Sequence, residues 1–389
     1  MAIPFTYTAS SGSRPDIPKW VPPKPTTMDL DWADLRTIEL SLLDSADPKV
    51  IADLLTTTKA AIKEDGFLFL TNYGVSLEQL HRQFDLAQYL HANISEADKE
   101  RLLWDPATGV FAGFKPRYGW KREPGQFDGI EHFNFYSPEF EDDERVPKCI
   151  APFMDEITAF CEYLMNSVNR RLLKLLSMVL ELPEDYLWNN IQSHDGVVGD
   201  GYFRHALYYP LEEQQRRARK GVRMYGHTDY GTTTLLFSVP VTALQIWESD
   251  NKWRYVKYKP GALVVNLGET LEVISGGHFK ATLHKVADPP ADQEHEQRLS
   301  LVFFNGSKGD MQSPLLQREG FVLKQGIFMQ FKKLIDAGLS VPTNKEWREA
   351  QVSTRVQTAP EERLAGVKDI NGTKYGEDLI LGVPIVLPV

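Results

Sequence analysis

YGHTDYGTTTLLFSVPVTALQIWESDNKWRYVKYKPGALVVNLGET, residues 225–270, is a chain of short apolar segments separated by turns. Segments 232–238, 243–248, 253–258 and 262–267 are rich in Val, Leu, Tyr, Phe and Thr and too short for typical helices. The same texture continues outward on both sides, at 202–208 and 223–228, and at 282–287 and 298–304. Eight short strands at this spacing predict a double-sheet jelly roll or a barrel.

The first half of the chain reads differently. Val50, Ile51, Leu54, Leu55, Ala60 and Ile62 predict a helix over 48–64, ended by Gly66 as a C′ residue. Phe67-Leu68-Phe69-Leu70 reads as a buried strand, Asn72-Tyr73-Gly74 as a turn, and 76–92 as a second amphipathic helix. Residues 105–150 read as irregular, whereas Phe153, Ile157, Phe160, Leu164, Val168 and Leu172 predict a long helix over 152–181. Leu182-Pro183 closes that helix and a short one follows. The expected fold class is therefore mixed α and β, a jelly-roll core with packed helices, mainly from the N-terminal half.

Three regions follow from this reading: 1–200, α-rich with the first barrel-associated strands; 201–310, the jelly-roll core; and 311–389, a helix near 325–338 and a tail. Residues 1–27, rich in Pro, Ser and Thr, read as an extended arm, and 379–387 is an apolar run. Arm and tail are candidates for a lid or a dimer strap, or for simple packing on the barrel. Arg216-Arg217-Ala218-Arg219-Lys220 follows Glu212 and Glu213 and reads as a solvated loop.

The net charge of −10 speaks against nucleic acid as main partner, because phosphate binding needs a basic face. No run of 18 apolar residues predicts a membrane span, and the N-terminus lacks a signal-peptide pattern. Cytoplasm is the default expectation, and the two cysteines, Cys149 and Cys161, suit a reducing compartment. The oligomeric state, monomer or homodimer, is open.

His227-Thr228-Asp229 is the one His-x-Asp among nine histidines. In an extended segment side chains alternate faces, which would set an imidazole and a carboxylate side by side. A His-x-Asp pair is also an ordinary surface pair. A second histidine on a neighbouring strand would complete the two-His, one-carboxylate triad of non-haem iron(II) oxygenases, and His284 is the candidate.

The wider context narrows this choice. YGHTDYGTTTLL (225–236), LQIWE (244–248), WRYVKYKPGALVVNLGETLEVISGG (253–277), FKATLHKV (279–286) and RLSLVFF (298–304) stand in one order, with EDGFLFLTNYGV (64–75) upstream. Together they resemble the 2-oxoglutarate/iron(II) dioxygenases of the isopenicillin N synthase-like family, over roughly residues 50–310. The resemblance implies a distorted double-stranded β-helix, with His227, Asp229 and His284 as iron ligands. It implies Arg298 and Ser300 as the anchor for the distal carboxylate of 2-oxoglutarate, with Tyr209 assisting. An Arg fork suits a carboxylate, and a hydroxyl two residues on shares its face. Four positions depart from the family pattern: Leu207 for Asn, Tyr73 for His, Lys285 for Arg, and Ser275-Gly276-Gly277 for Ser-Asn-Gly.

The family implies Fe(II), 2-oxoglutarate and O2 as reagents, release of succinate and CO2, and hydroxylation or another oxidation of a C–H bond. A small-molecule substrate, a natural-product intermediate, is expected. The alternatives are an oxidase of the same family that does without 2-oxoglutarate and a non-catalytic jelly-roll binder. Candidate substrate walls are 111–118, 131–135, Arg204, Phe304 and Asn305, an aromatic lining with a few cations that would suit a small acid.

Overall fold

The computed structural model describes residues 4–8, 14–119, 128–308, 338, 342–357, 365–370, 373–380 and 383–388. The helix expected near 325–338 lies, but for residue 338, outside the described residues. Strands β1 (Thr37–Glu39), β2 (Phe67–Thr71), β3 (Gly113–Lys115), β4 (Ile130–Phe135), β5 (Tyr202–Tyr208) and β6 (Val222–His227) are followed by β7 (Thr233–Phe237), β8 (Leu244–Trp247) and β9 (Trp253–Tyr255). Then come β10 (Leu263–Leu267), β11 (His284–Ala287) and β12 (Arg298–Phe304). They form an eight-stranded sheet, β1-β2-β10-β7-β12-β5-β4-β3, and a four-stranded sheet, β6-β11-β8-β9. This is the jelly roll, and all eight expected core strands are in it.

Period-two alternation shows how the larger sheet sits. Leu68, Leu70, Leu235, Phe237, Leu263, Val265, Leu299, Leu301 and Phe303 face the helices, in the large core with Phe160, Leu164 and Leu172. The residues between them, Phe67, Phe69, Leu236 and Val264, meet Leu244, Ile246 and Val256 of the smaller sheet. Towards the other end Ile130, Ala206 and Tyr208 meet Val286 and Met224. The space between the sheets is thus apolar at both ends. Polar side chains, described below, occupy its middle.

Helix α1 (Pro48–Ala60) starts with Asp47 accepting from the Lys49 N–H at 2.9 Å and with Pro48 in the first turn. A π-helical turn, Ala61–Asp65, extends it to Gly66 at φ +67, where a Cβ would also collide with the Lys280 carbonyl. Ser76 and Gln79 form a capping box for α2 (Leu77–Asn93). A short α3 (Glu96–Arg101) follows. The region read as irregular holds β3, β4 and α4 (Ser137–Glu141). Every residue of β4, IEHFNF, is buried, so it carries no polar-out alternation to mark it.

The long helix runs as α5 (Met154–Tyr163), a π-helical turn Leu164–Asn169, and α6 (Arg170–Val179), with α7 (Tyr186–Asn190) after Pro183. The basic run 216–220 is not a loop throughout. Glu213–Ala218 form α8, and the buried Arg219 donates from Nε to the Val222 carbonyl at 2.9 Å. The backbone acceptors there outweigh the preference of a guanidinium for water. Helix α9 (Glu269–Ile274) follows β10. Beyond the core, α10 (Asn344–Gln357) precedes a three-stranded sheet of β13 (Ala365–Ile370), β14 (Thr373–Ile380) and β15 (Val383–Pro388), which the expectation of a plain tail did not include. Residues 14–27 carry almost no regular structure. Trp20 of this arm stacks on Phe84 of α2 at 4.3 Å. No helix among the described residues is long and apolar enough to cross a membrane.

Candidate metal centre and cosubstrate pocket

β11 pairs antiparallel with β6, and the register sets His284 directly opposite His227. Their ring centroids are 4.3 Å apart. β6 ends at His227, so Asp229 stands in the following loop and not on the strand. The chain turns to aim its carboxylate back between the imidazoles: Asp229 Oδ1 lies 3.8 Å from His227 Nε2 and 3.7 Å from His284 Nε2. One ligand atom from each of the three residues lies within 4.8 Å of the others.

The other atoms of the three groups are engaged, which fixes which atoms face inward. His227 Nδ1 lies 2.9 Å from the Tyr225 carbonyl and His284 Nδ1 lies 3.1 Å from that of Thr282. A proton on Nδ1 leaves the Nε2 lone pair for a metal. Asp229 Oδ2 accepts from Thr234 Oγ1 and Asn266 Nδ2, each at 2.7 Å. Burial pushes the Asp229 carboxyl up, but His284, His227, Asn266 and Thr234 outweigh it and hold it below the usual carboxylate range. Two imidazole nitrogens and one carboxylate oxygen on one side of a point suit a divalent iron, with the opposite side left for other ligands. Neither Thr234 nor Asn266 was expected. Both lie on the inner face of the larger sheet, paired across β7 and β10.

Arg298 heads the same inner face. Its guanidinium is 4% exposed, its Nε has no hydrogen-bond partner, and no described carboxylate forms an ion pair with it. Its Cζ sits 5.1 Å from the centre of the Tyr208 ring. Burial lowers its pKa from the ordinary arginine value, against the favourable effect of Tyr208. A buried cation with an orphan donor is costly unless an anion completes it. Ser300, also buried, follows two positions along β12, opposite Ala206.

Tyr209, expected to assist Arg298, is placed apart from it. Tyr208, not Tyr209, pairs with Arg298 in the β5–β12 register. Tyr209 lies past the end of β5 and packs against the helix-side core. Burial and the nearby Glu131 push its hydroxyl pKa up, and its ring lies under Arg117, 4.6 Å from Cζ. A strand turns successive side chains to opposite faces, so one residue decides the side.

Further along the inner face Arg204 is buried, with Nε donating to Asn134 Oδ1 at 2.8 Å. Its Cζ lies 5.2 Å from the Tyr202 ring, 5.3 Å from Phe304 and 5.8 Å from Phe111. Like Arg298, it makes no ion pair with a described carboxylate. Tyr202 joins this wall to the metal loop: burial pushes its hydroxyl up to about 12, Arg204 opposes and the Asp229 charge adds. Other expected wall residues sit elsewhere. Phe133 and Phe135 belong to the helix-side core, Lys115 is buried against Asp128, and Asn305 is buried with Nδ2 donating to Thr233.

A jelly roll with two histidines and a carboxylate at one edge of its interior is the scaffold of a non-haem iron oxygenase. A sequence model of the 2OG-Fe(II) oxygenase superfamily matches residues 203–307, and one described as non-haem dioxygenase in morphine synthesis N-terminal matches 35–152. The chain belongs to the 2-oxoglutarate/iron(II)-dependent dioxygenases, enzymes that use Fe(II), 2-oxoglutarate and O2. Leucoanthocyanidin dioxygenase of Vitis vinifera is 26% identical over 257 residues, covering 64% of this chain and 68% of that one. Jasmonate-induced oxygenase 3 of Arabidopsis thaliana is 27% identical over 312 residues, 80% and 81%. A full-length Neurospora crassa protein, crystallised in complex with alpha-KG and 5-formyluracil, shares the fold, with TM-score 0.67 at 16% identity over 84% of this chain and all of that one.

Proposed function

We propose that His227, Asp229 and His284 hold the iron, that Arg298 with Ser300 and Tyr208 holds the distal carboxylate of 2-oxoglutarate, and that the chain oxidises a C–H bond of a small, flat, acidic molecule. Succinate and CO2 are the coproducts. The observation that carries this reading is Arg298, a buried guanidinium with no described carboxylate beside it, on the sheet face that also carries the carboxylate's anchors Thr234 and Asn266.

When bound, iron with 2-oxoglutarate supplies the activation of dioxygen; the protein supplies position. The Nδ1 contacts to Tyr225 and Thr282 aim two imidazoles, and Thr234 and Asn266 aim the carboxylate. The apolar clusters at either end of the interior keep water from the space between the sheets. Arg204, between Tyr202, Phe304 and Phe111, is the reason to expect an anionic or strongly polar group on a planar substrate. Two similar proteins bear on this choice only through their names, one for leucoanthocyanidin and one holding 5-formyluracil, both small ring compounds. A natural-product intermediate fits this description.

The test is succinate release from the iron-loaded enzyme across a panel of small aromatic and alicyclic acids, each paired with its neutral methyl ester. Acids should stimulate turnover more than their esters, and Arg204→Gln should erase that preference while 2-oxoglutarate affinity stays. Turnover without 2-oxoglutarate would overturn the cosubstrate role of Arg298. Equal stimulation by esters would overturn the substrate class.

A further inference from the structure

Thr228, the residue between two of the candidate ligands, donates its hydroxyl to Glu269 Oε1. The Glu269 N–H donates to the Asp229 carbonyl at 2.8 Å. The other carboxylate oxygen, Oε2, accepts from Trp347 Nε1 and Gln351 Nε2, each at 2.6 Å. Glu269 is 1% exposed, and Trp347 and Gln351 are fully buried. The next residue repeats the arrangement. Thr270 donates from Oγ1 to the Tyr230 carbonyl at 2.7 Å, and Asn344 bonds both to Thr270 Oγ1 and to the Tyr230 carbonyl. Two adjacent residues of α9 therefore tie the loop after His227 to a helix more than seventy residues downstream of them.

We infer that Glu269 is a positioning residue for the metal loop, and that the C-terminal helix α10 sets the metal affinity through it. This rests on the reading of His227, Asp229 and His284 as the metal ligands. A buried carboxylate is tolerable only while donors surround it. At least three side-chain donors among the described residues do so here, and two of them come from α10. Without those two, Glu269 gains by swinging towards water. Thr228 is bonded to it, so the backbone carrying His227 and Asp229 moves as well. Ligand geometry has a tolerance of only about 0.5 Å. Outer partners of metal ligands commonly change affinity by about 10- to 100-fold. Glu269 itself does not reach the metal. Its carboxylate accepts from Thr228 on one oxygen and from α10 on the other.

The test is titration of chelator-stripped, full-length protein with Mn(II) or Co(II), calorimetrically and well below the melting temperature. Trp347→Phe removes one N–H and keeps an aromatic ring, and it should weaken binding about tenfold. Gln351→Met should do the same and serves where the first variant folds poorly. In a Glu269→Gln background both changes should add little, because their effect passes through that carboxylate. Arg348→Ala loosens the same helix through the Asp200 carbonyl and not through Glu269, so it should leave affinity unchanged. His227→Ala separates the two layers of argument. Normal binding in His227→Ala would sink the metal-centre reading. Loss there together with wild-type affinity in folded Trp347→Phe and Gln351→Met would overturn the role of Glu269. So would equal weakening in Arg348→Ala.

Discussion

Replacing Arg298 by alanine should leave the metal in place and remove the cosubstrate. The guanidinium is buried, touches Tyr208 and has an unpartnered Nε, so a carboxylate arriving there can take two charge-assisted hydrogen bonds. At roughly 1.5–3 kcal/mol for each bond to a charged group, the pair is worth about 3–6 kcal/mol. That corresponds to about 10²- to 10⁴-fold in the dissociation constant of 2-oxoglutarate, at about 1.4 kcal/mol per decade. Arg298→Lys keeps the charge and loses the fork, so it should fall between the two. The assay is anaerobic titration of the iron(II)-loaded protein with 2-oxoglutarate, followed by its weak visible band and by calorimetry. A dissociation constant within twofold of wild type in Arg298→Ala, with metal content unchanged, would refute the argument from the unpaired cation.

His205 is fully buried against Phe135 and Phe203, and neither ring nitrogen has a partner. Burial, with His91 adding, holds its pKa well below the usual histidine value, so the unfolded chain takes up a proton that the folded one refuses. Stability is then lost as pH falls below the unfolded pKa of about 6.5, by ~1.4 kcal/mol between pH 7.5 and 5.5 from this residue. His205→Leu should flatten the urea-midpoint profile over that window by this amount, and an identical slope would refute the assignment. Lys115 Nζ and Asp128 Oδ1 form an ion pair at 2.6 Å with both side chains fully buried. Asp128→Ala should cost about 3–5 kcal/mol in denaturant unfolding, and Lys115→Met with Asp128→Leu should recover much of it. Gly268→Ala would drive a Cβ into the Gly231 carbonyl beneath the metal loop, so metal affinity should fall along with the melting temperature. Unchanged affinity would show that the loop absorbs the collision.

The core strands were legible because each is a short apolar segment bounded by turns. Residues 202–208 and 298–304 are strands end to end, and Gly66 closes its helix as its position suggested. β4 was not legible, since Glu131, His132 and Asn134 are polar residues buried by tertiary partners that local pattern does not reveal. The three candidate ligands were named by resemblance and the structure brings them together, but the reason given for His227 and Asp229 was incomplete. They converge through a loop held by Thr234 and Asn266 and not through strand alternation alone. Tyr209 is a different case. Motif position named it, whereas the register of β5 against β12 turns Tyr208 inward. The links from Glu269 to Trp347 and Gln351 cross most of the C-terminal sequence, and no local periodicity points to them.

The most direct measurement of the central claim is a crystal structure of the protein soaked anaerobically with Mn(II) and 2-oxoglutarate. The account predicts one ion in direct contact with His227 Nε2, Asp229 Oδ1 and His284 Nε2, at about 2.0–2.4 Å. The distal carboxylate of 2-oxoglutarate should lie against Arg298, with Ser300 and Tyr208 beside it. An ion bound elsewhere, or a 2-oxoglutarate that leaves Arg298 unpaired, would contradict it.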